Sequence, residues 1–257
     1  TPEAQQALAG LAADPTQPPL QRLRATGLLG LTPTPTAESG EALRSWMGSE
    51  DVDLAETAAL ALGNHVKHRL AAAEEAGAGA VGAETEATQD LVEALIAALE
   101  AAQTSEVRIH ALKALGNTGD PRAFPAIAGA LATPDLAVRA AALWALRFLP
   151  GADVDALLVE ALLKDPALAP RQAVVAGASF RDLVPLGPAL NAMVRTYPDK
   201  ALRLDIVHLL GASKERYPPG ISTLEWVADN DGAEDVREAA EAALKPNTVP
   251  GPTIQVH

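Results

Sequence analysis

The stretch VRIHALKALGNTGDPRAF, residues 107–124, decides the fold of this chain. It predicts the end of one helix, a tight Gly-Asn break at Gly116 and Asn117, and the start of a second helix at Asp120 and Pro121. Gly is typical of helix ends, and Asp followed by Pro is typical of helix starts. One such helix pair cannot bury its apolar face alone, so we asked whether it repeats.

Segments similar to VRIHALKALG recur along the whole chain. The position of Arg108 is occupied in the seven segments by Arg22, Ala55, Arg108, Arg139, Arg171, Arg203 and Arg237. Successive members are 33, 53, 31, 32, 32 and 34 residues apart, and another apolar-periodic segment precedes each one. This period predicts an all-α fold, an α-α superhelix (solenoid) of about seven antiparallel helix pairs. Gly30, Gly63, Gly116 and Gly211 are predicted to be C-cap glycines of second helices.

The one long interval contains an insertion, AAAEEAGAGAVGAETEATQD at 71–90. It lacks helical periodicity and predicts a flexible surface loop. We expect a single solenoid over 1–245 and an extended tail over 246–257, where prolines recur and TIQVH alternates like a strand. That tail is the start of a following β-domain or a disordered end. The chain begins at Thr1 rather than Met, from which we expect a processed protein or a fragment.

Composition excludes several classes of function. The net charge is −13, with 33 acidic residues against 20 basic ones, which argues against nucleic-acid binding. The absence of cysteine excludes disulfides and thiolate metal sites. No apolar run approaches the ~20 residues of a membrane span. The Ala- and Arg-rich composition suggests a bacterial source, and the compartment stays open, with a slight preference for an extracytoplasmic or secreted location.

The recurring arginines predict a structural ladder. An arginine at one position of each repeat is expected to pair with an acidic residue near the next turn and tie the units together. The predicted ladder is Arg22, Arg108, Arg139, Arg171, Arg203 and Arg237, with Asp120, Asp135, Asp153 and Asp199 as candidate partners. A row of arginines that binds acidic ligands is the alternative.

The second helices are expected to line a concave surface. In the quoted stretch Val107, Ala111, Ala114 and Leu115 share a face and are predicted to be core, so His110 and Lys113 point outward. We therefore predict a partner- or lipid-facing surface made of Leu60, His110, Lys113, Ala141, Trp144, Ala173, Ala176, Asp205 and His208. The alternative for Trp144 is simple packing against a neighbouring repeat.

The sequence offers no catalytic constellation. His65 and His68 lie three residues apart near the insertion, but without a third fixed ligand they are a weak metal signal and are interpreted as solvated. No G-x-S-x-G, H-E-x-x-H or Walker A motif occurs. We predict no catalytic residue, no metal and no cofactor.

The pattern (D/E)-x-x-V-R-x-x-A-x-x-A-L-G followed by G-D-P-x-A resembles a short bacterial HEAT repeat. LALGNHVKH (60–68), VRIHALKALGNTGDPRAFPAI (107–127) and VRAAALWALRFLP (138–150) further resemble the helical domain of large lipid transfer proteins, the family of vitellogenin and microsomal triglyceride transfer protein. The resemblance implies a wall that clamps β-sheets around lipid. Helical-repeat iron hydroxylases of the deoxyhypusine class rely on His-Glu pairs, which this sequence lacks.

We therefore predict a non-catalytic scaffold that docks a protein or a β-domain, with lipid as a further ligand, and not an enzyme. The alternative is an enzyme of the HEAT-like bilin-lyase type.

Overall fold

The computed structural model describes residues 1–245, so the predicted tail at 246–257 and its strand lie outside the described residues. Within 1–245 the chain is helical and contains no β-strand. No helix in this part of the chain is both long enough and apolar enough to cross a bilayer.

Fifteen α-helices follow one another in residues 1–245. They are α1 Pro2–Ala13, α2 Pro19–Gly30, α3 Ala37–Trp46, α4 Val52–Ala76, α5 Ala78–Ala87, α6 Gln89–Ala101, α7 Ser105–Thr118, α8 Phe124–Gly129, α9 Leu136–Ala145, α10 Ala152–Lys164, α11 Leu168–Ala178, α12 Gly187–Thr196, α13 Lys200–Ala212, α14 Gly220–Asn230 and α15 Glu234–Leu244. Short 3-10 turns at Pro121–Ala123 and Leu146–Phe148 precede α8 and follow α9.

The helices form seven pairs, as predicted. The pairs, numbered units 1 to 7, are α1/α2, α3/α4, α6/α7, α8/α9, α10/α11, α12/α13 and α14/α15. The second helices pack side by side in the order α2, α4, α7, α9, α11, α13, α15 and form an inner layer, and the first helices form an outer layer. The core lies between the layers and is continuous along the chain.

The insertion is helical, so the prediction of a loop at 71–90 is wrong. α4 runs on to Ala76, Gly77 turns the chain with φ 110°, and α5 begins at Ala78. Ala and Glu dominate this segment and are strong helix formers, so helix forms without an amphipathic pattern. An ion pair between Arg69 of α4 and Glu84 fastens α5 against α4.

Glycines bring the inner helices into close contact. A Cβ atom on Gly63 would lie 2.1 Å from the carbonyl oxygen of Ala114, and one on Gly116 would lie 2.5 Å from Cα of Ala145. The same pairing recurs in Gly30 with Ala61 and in Gly211 with Ala243. The predicted C-cap role of these four glycines is therefore wrong, since none has a positive φ.

The helix break in the quoted stretch lies three residues later than predicted. α7 continues through Gly116 and Asn117 and ends at Gly119, whose φ is 66°. Asp120 then caps the following 3-10 turn by accepting a hydrogen bond from the amide of Arg122 at 2.8 Å.

The ladder arginines bind the ends of the first helices. In units 3 to 7 each guanidinium donates to the carbonyl oxygen six residues earlier, which belongs to the C-cap of the first helix in units 3, 5, 6 and 7 and to the turn after α8 in unit 4. The pairs are Arg108 to Ala102, Arg139 to Thr133, Arg171 to Asp165, Arg203 to Tyr197 and Arg237 to Asp231, at 3.3, 3.0, 2.6, 2.9 and 2.6 Å. In unit 1 Arg22 donates to Ala12 at 3.0 Å. These contacts support a structural role.

The acidic partners differ from those predicted. Arg139 pairs with Asp165 at 3.1 Å and Arg203 with Asp231 at 2.8 Å, each reaching the next unit. Arg22 lies 3.5 Å from Asp51. Of the predicted partners, Asp120 pairs with Arg122, Asp135 and Asp199 cap α9 and α13, and no ion pair of Asp153 occurs within residues 1–245. The reason is the orientation of the arginine side chains. A helical side chain leans toward the N-terminus of its own helix, so each ladder arginine contacts the chain that follows a first helix.

We expect Gly63→Ala to destabilise the fold by several kcal/mol, because its Cβ would collide with the backbone of α7. The matched control is Gly27→Ala within α2, whose Cβ would meet nothing within 4 Å. That change should stabilise the protein by about 0.5–1 kcal/mol through helix propensity. Urea unfolding of both variants measures the contrast, and equal effects would contradict the close-contact account.

We expect Arg139→Met to lower the free energy of unfolding by about 2 kcal/mol, because it leaves first-helix carbonyls and the carboxylate of Asp165 without their donor. Arg24→Met is the control, since Arg24 is exposed and forms no ion pair within the described residues. Chemical denaturation should separate the two variants, and an unaffected Arg139→Met would argue against the structural ladder.

Candidate functional site

The predicted concave residues lie on the inner layer and most are accessible. Lys113, Ala176 and His208 are exposed, while Leu60, His110, Trp144, Ala173 and Asp205 are partly buried. Ala141 is only 8% exposed and adds little surface. Of the predicted core residues, Ala111, Ala114 and Leu115 are buried. Val107 is 40% exposed, because it lies in the first turn of α7 beside its exposed N-cap residue.

Two polar pairs bridge neighbouring helices on this inner face. Nδ1 of His110 lies 2.9 Å from Oε1 of Glu56, and the side-chain amide of Gln172 donates to Asp205 at 2.7 Å. Between these pairs, units 4 and 5 present Trp144 and small residues. The inner face therefore has an apolar middle between polar flanks.

An aromatic cluster of Trp144, Phe148 and Phe180 extends from this apolar middle to the ends of the inner helices. The ring of Phe180 meets Trp144 edge to face at 5.8 Å and Phe148 at 5.2 Å between centroids. Phe180 is 51% exposed, although a phenylalanine is usually buried. A stacking surface is therefore open to solvent at this point.

Arg147 occupies a position at which four other units have glycine. It aligns with Gly116, and the residue facing it in the next unit is Gly177 rather than Ala. A Cβ on Gly177 would lie 3.4 Å from Cβ of Arg147. In this contact the glycine therefore belongs to the later unit and the larger residue to the earlier one, the reverse of the usual arrangement. The guanidinium lies 4.6 Å from the ring of Trp144 and 4.4 Å from that of Phe148. Burial lowers the pKa of Arg147 to about 10, so it stays cationic at neutral pH.

Lys67 reaches the same aromatic ring from the extended part of α4. Its Nζ lies 3.5 Å from the centroid of Phe148. Burial and, to a smaller extent, the charge of Arg147 lower the pKa of Lys67. The continuation of α4 past Gly63 is therefore what brings a cation of unit 2 to an aromatic residue of unit 4.

A groove of about 480 Å³, the insertion groove, opens beside this cluster. One wall comes from α4 and α5, and the other from the turns after α7 and α9. The lining residues are Lys67, Leu70, Ala71, Glu74, Val81, Thr85, Thr118, Gly119, Asp120, Pro121, Arg122, Phe148 and Pro150. Its volume lies within the ~300–1,000 Å³ of small-molecule sites.

Arg122 holds the two walls together. Its guanidinium donates to the carbonyl oxygen of Thr85 at 3.0 Å and to Oγ1 of Thr88 at 3.2 Å, and its Nε donates to Asp120 at 2.9 Å. Asp120 is 2% exposed, and its hydrogen bonds and charge raise the pKa of Arg122. This pair of a partly exposed arginine and a buried aspartate ties α5 to the turn after α7.

His65 is buried rather than solvated, so that interpretation is wrong for it. It lies in the interior of α4 because the helix continues past the predicted end. Its Nδ1 lies 3.5 Å from Oγ of Ser39, and its Nε2 has no hydrogen-bond partner within the described residues. Burial, with smaller effects of Arg69 and His68, lowers the pKa of His65 to about 4. No group of three or more metal-binding side chains occurs in residues 1–245.

Sequence reasoning found Trp144 but missed Lys67, Arg147, Phe148 and Phe180. These residues come from different units and meet only after folding. One signal was present when the repeats are aligned with one another. Arg147 stands where other repeats have glycine, and in the next repeat Gly177 stands where others have alanine. Such a break in a repeat indicates a local function or a compensated packing change.

The family model described as HEAT repeats matches residues 92–179. A comparison with curated proteins gives no match.

Solved structures of helical-repeat proteins are similar over almost the whole chain. The complex of CpcE and CpcF of phycocyanin lyase from Nostoc sp. PCC7120 is 18% identical, with 93% of each chain covered and a TM-score of 0.53. Human deoxyhypusine hydroxylase in complex with glycerol is 21% identical, with 94% and 95% covered and a TM-score of 0.44. The archaeal HEAT-like repeats protein from Thermococcus onnurineus NA1 is 16% identical, with 93% and 95% covered and a TM-score of 0.46. The chain is a HEAT-like solenoid, as predicted.

These comparisons correct the predicted function. The predicted non-catalytic scaffold and the expectation that the chain is not an enzyme are wrong as stated, because this fold is shared with the phycocyanin lyase structure. Nothing in the comparisons supports vitellogenin-like proteins, lipid carriage or a β-domain partner. The HEAT repeats themselves indicate protein interaction.

We expect acid to destabilise the protein through His65. The neutral imidazole is favoured in the folded state, so the stability it contributes is complete above the unfolded pKa of about 6.5. That stability is lost as pH falls toward the folded pKa of about 4. Between pH 7 and pH 5 the expected loss from this group is about 2 kcal/mol.

Urea unfolding of the parent chain, His65→Leu and His68→Gln at the two pH values measures this effect. His65→Leu should lose most of the pH dependence, and His68→Gln should keep it. The reverse pattern would contradict the assignment to His65.

Proposed function

We propose that this chain is a subunit of an enzyme of the HEAT-like bilin-lyase type. The insertion groove holds a planar, conjugated small molecule, and the inner face holds the protein from which that molecule is taken or to which it is attached. The observation that carries this proposal is the aromatic cluster beside the groove, at the one contact where Arg147 and Gly177 replace the usual small pair.

The groove suits such a ligand in size and in surface. Phe148 lines it directly, and exposed Phe180 extends the aromatic surface beyond it. Aromatic faces bind planar conjugated molecules by offset stacking or edge-to-face contact. The apolar side chains of Leu70 and Val81 on the opposite wall exclude water from the remaining surface.

The chemistry requires a group that moves a proton. A lyase adds a group to a double bond or eliminates it, and both directions transfer a proton. Lys67 lines the groove, and its lowered pKa makes its ammonium group a better proton donor than that of an exposed lysine. The chain has no cysteine, so a ligand joined to a thiol must be attached to the partner protein.

The partner protein is proposed to lie on the inner face. The residues predicted from the sequence to face a partner, from Leu60 to His208, lie on the inner layer of helices. The aromatic cluster begins in the middle of this layer, at Trp144. HEAT repeats indicate protein interaction, and the phycocyanin lyase structure with a similar fold is itself a complex of two proteins. The apolar middle around Trp144 would bring the partner next to the groove.

We expect the full chain to bind biliverdin with a Kd of about 1–10 µM, within the range of a groove of this size. Bound biliverdin should quench the fluorescence of Trp144, measured in a chain where Trp46 and Trp226 are replaced by Phe. Phe148→Ala should weaken binding about tenfold, because it removes the stacking surface.

Leu163→Ala on α10 is the matched control, since Leu163 is an exposed apolar side chain outside the groove. The activity is tested by mixing the chain with phycocyanin, separating the two, and measuring chromophore absorbance on each. Chromophore transfer that Phe148→Ala slows is the expected result. No biliverdin binding would reject the ligand, and binding without any transfer would reject the lyase activity.

A further inference from the structure

Lys67 and Arg147 are two cations without a carboxylate partner in a strongly acidic chain. The chain has 33 acidic residues against 20 basic ones, yet neither cation forms an ion pair within the described residues. Arg139, Arg181 and Arg203 are paired with aspartates, whereas buried Arg171 has no ion pair within the described residues and lies over the ring of Tyr197. Arg147 is only 7% exposed, and a buried charge without a counter-ion is costly.

The two cations meet at one aromatic ring. Nζ of Lys67 lies 3.5 Å and Cζ of Arg147 lies 4.4 Å from the centroid of Phe148, which places the charges at most about 8 Å apart. Two positive charges this close repel each other, and the lowered pKa of Lys67 reflects burial together with that repulsion. An anion bound in the groove at Lys67 would relieve the repulsion.

The two cations differ in what they offer a ligand. Arg147 already donates to the carbonyl oxygen of Trp144 at 3.1 Å and to the side chain of Asn117. Lys67 lines the groove and donates no hydrogen bond within residues 1–245. Lys67 is therefore placed for direct contact, and Arg147, which does not line the groove, adds positive potential next to the same ring.

We infer that Lys67 and Arg147 form a subsite for a carboxylate carried by the conjugated ligand of the insertion groove. This inference rests on the proposed function in taking the groove as the ligand site, and it adds that the ligand is an acid. The inner helix α7 ends at the groove, and its negative end opposes a doubly charged phosphate more strongly than a singly charged carboxylate.

The acidic side chains that line the groove do not already neutralise Lys67 and Arg147. Asp120 is neutralised by Arg122, and Glu74 lies two helical turns beyond Lys67 on α4, with no ion pair between them. Neither carboxylate is therefore a counter-ion for the pair.

The test compares 1-pyrenebutyric acid with 1-pyrenebutanol, which share the aromatic body and differ in the charge. Both probes are titrated against the full chain at pH 7 by pyrene fluorescence. The acid should bind about tenfold more tightly than the alcohol. Lys67→Met should reduce acid binding to the level of the alcohol and leave the alcohol unchanged, which also shows that the variant is folded.

Two further variants sharpen the result. Lys67→Arg should retain the preference for the acid, and Lys164→Met, an exposed lysine on α10, should change nothing. As pH rises, Lys67 loses its charge and the parent chain should bind the acid less tightly. Because the pKa of Lys67 is lowered, this loss should begin below the ordinary pKa of lysine.

Equal affinity for the two probes, binding of neither, or an acid preference that survives Lys67→Met would overturn the inference. The proposed function is judged separately. Acid preference through Lys67 without biliverdin binding would keep the subsite and reject the bilin. Equal binding of biliverdin and its dimethyl ester would keep the bilin and reject the subsite.

Discussion

The approach of neighbouring inner helices is the constraint on which the rest of this structure depends. Gly63 and Gly116 let α4, α7 and α9 lie so close that a single Cβ atom would collide with backbone. Inner helices that touch while outer helices stay further apart curve the stack, and the curved stack creates an accessible inner face. The abundance of alanine follows, since larger side chains would separate the helices.

Spacing alone predicted the fold, because a recurrence of 31–34 residues depends on many positions at once. Individual residues were harder to assign. A glycine near the end of an apolar segment looks the same whether it turns the chain, as Gly119 does, or admits a neighbour, as Gly116 does. The insertion was misjudged for a similar reason, since α5 is a helix held by Arg69 and Arg122 rather than by an apolar stripe.

The candidate site was predicted only in part because its components belong to separate units. Trp144 was recognised from one helix, but Lys67 reaches the ring of Phe148 only because α4 extends beyond the length of the other inner helices. The exchange of small and large residues between Arg147 and Gly177 was visible in the alignment, yet its meaning depended on knowing which residues face each other. Motif searches could not have found the groove for the same reason, since no single segment of the chain forms it.

The arginine ladder also determines which units unfold together. Asp165 and Asp231 each bind the arginine of the preceding unit through the carboxylate and the arginine of their own unit through the carbonyl. Tyr197 does the same with its ring and its carbonyl, linking Arg171 to Arg203. Units 4 to 7 therefore share their capping groups, and fraying of one removes hydrogen bonds from the next. The ladder lacks an arginine at Ala55, so the C-terminal half behaves as one cooperative block and the N-terminal units open more independently.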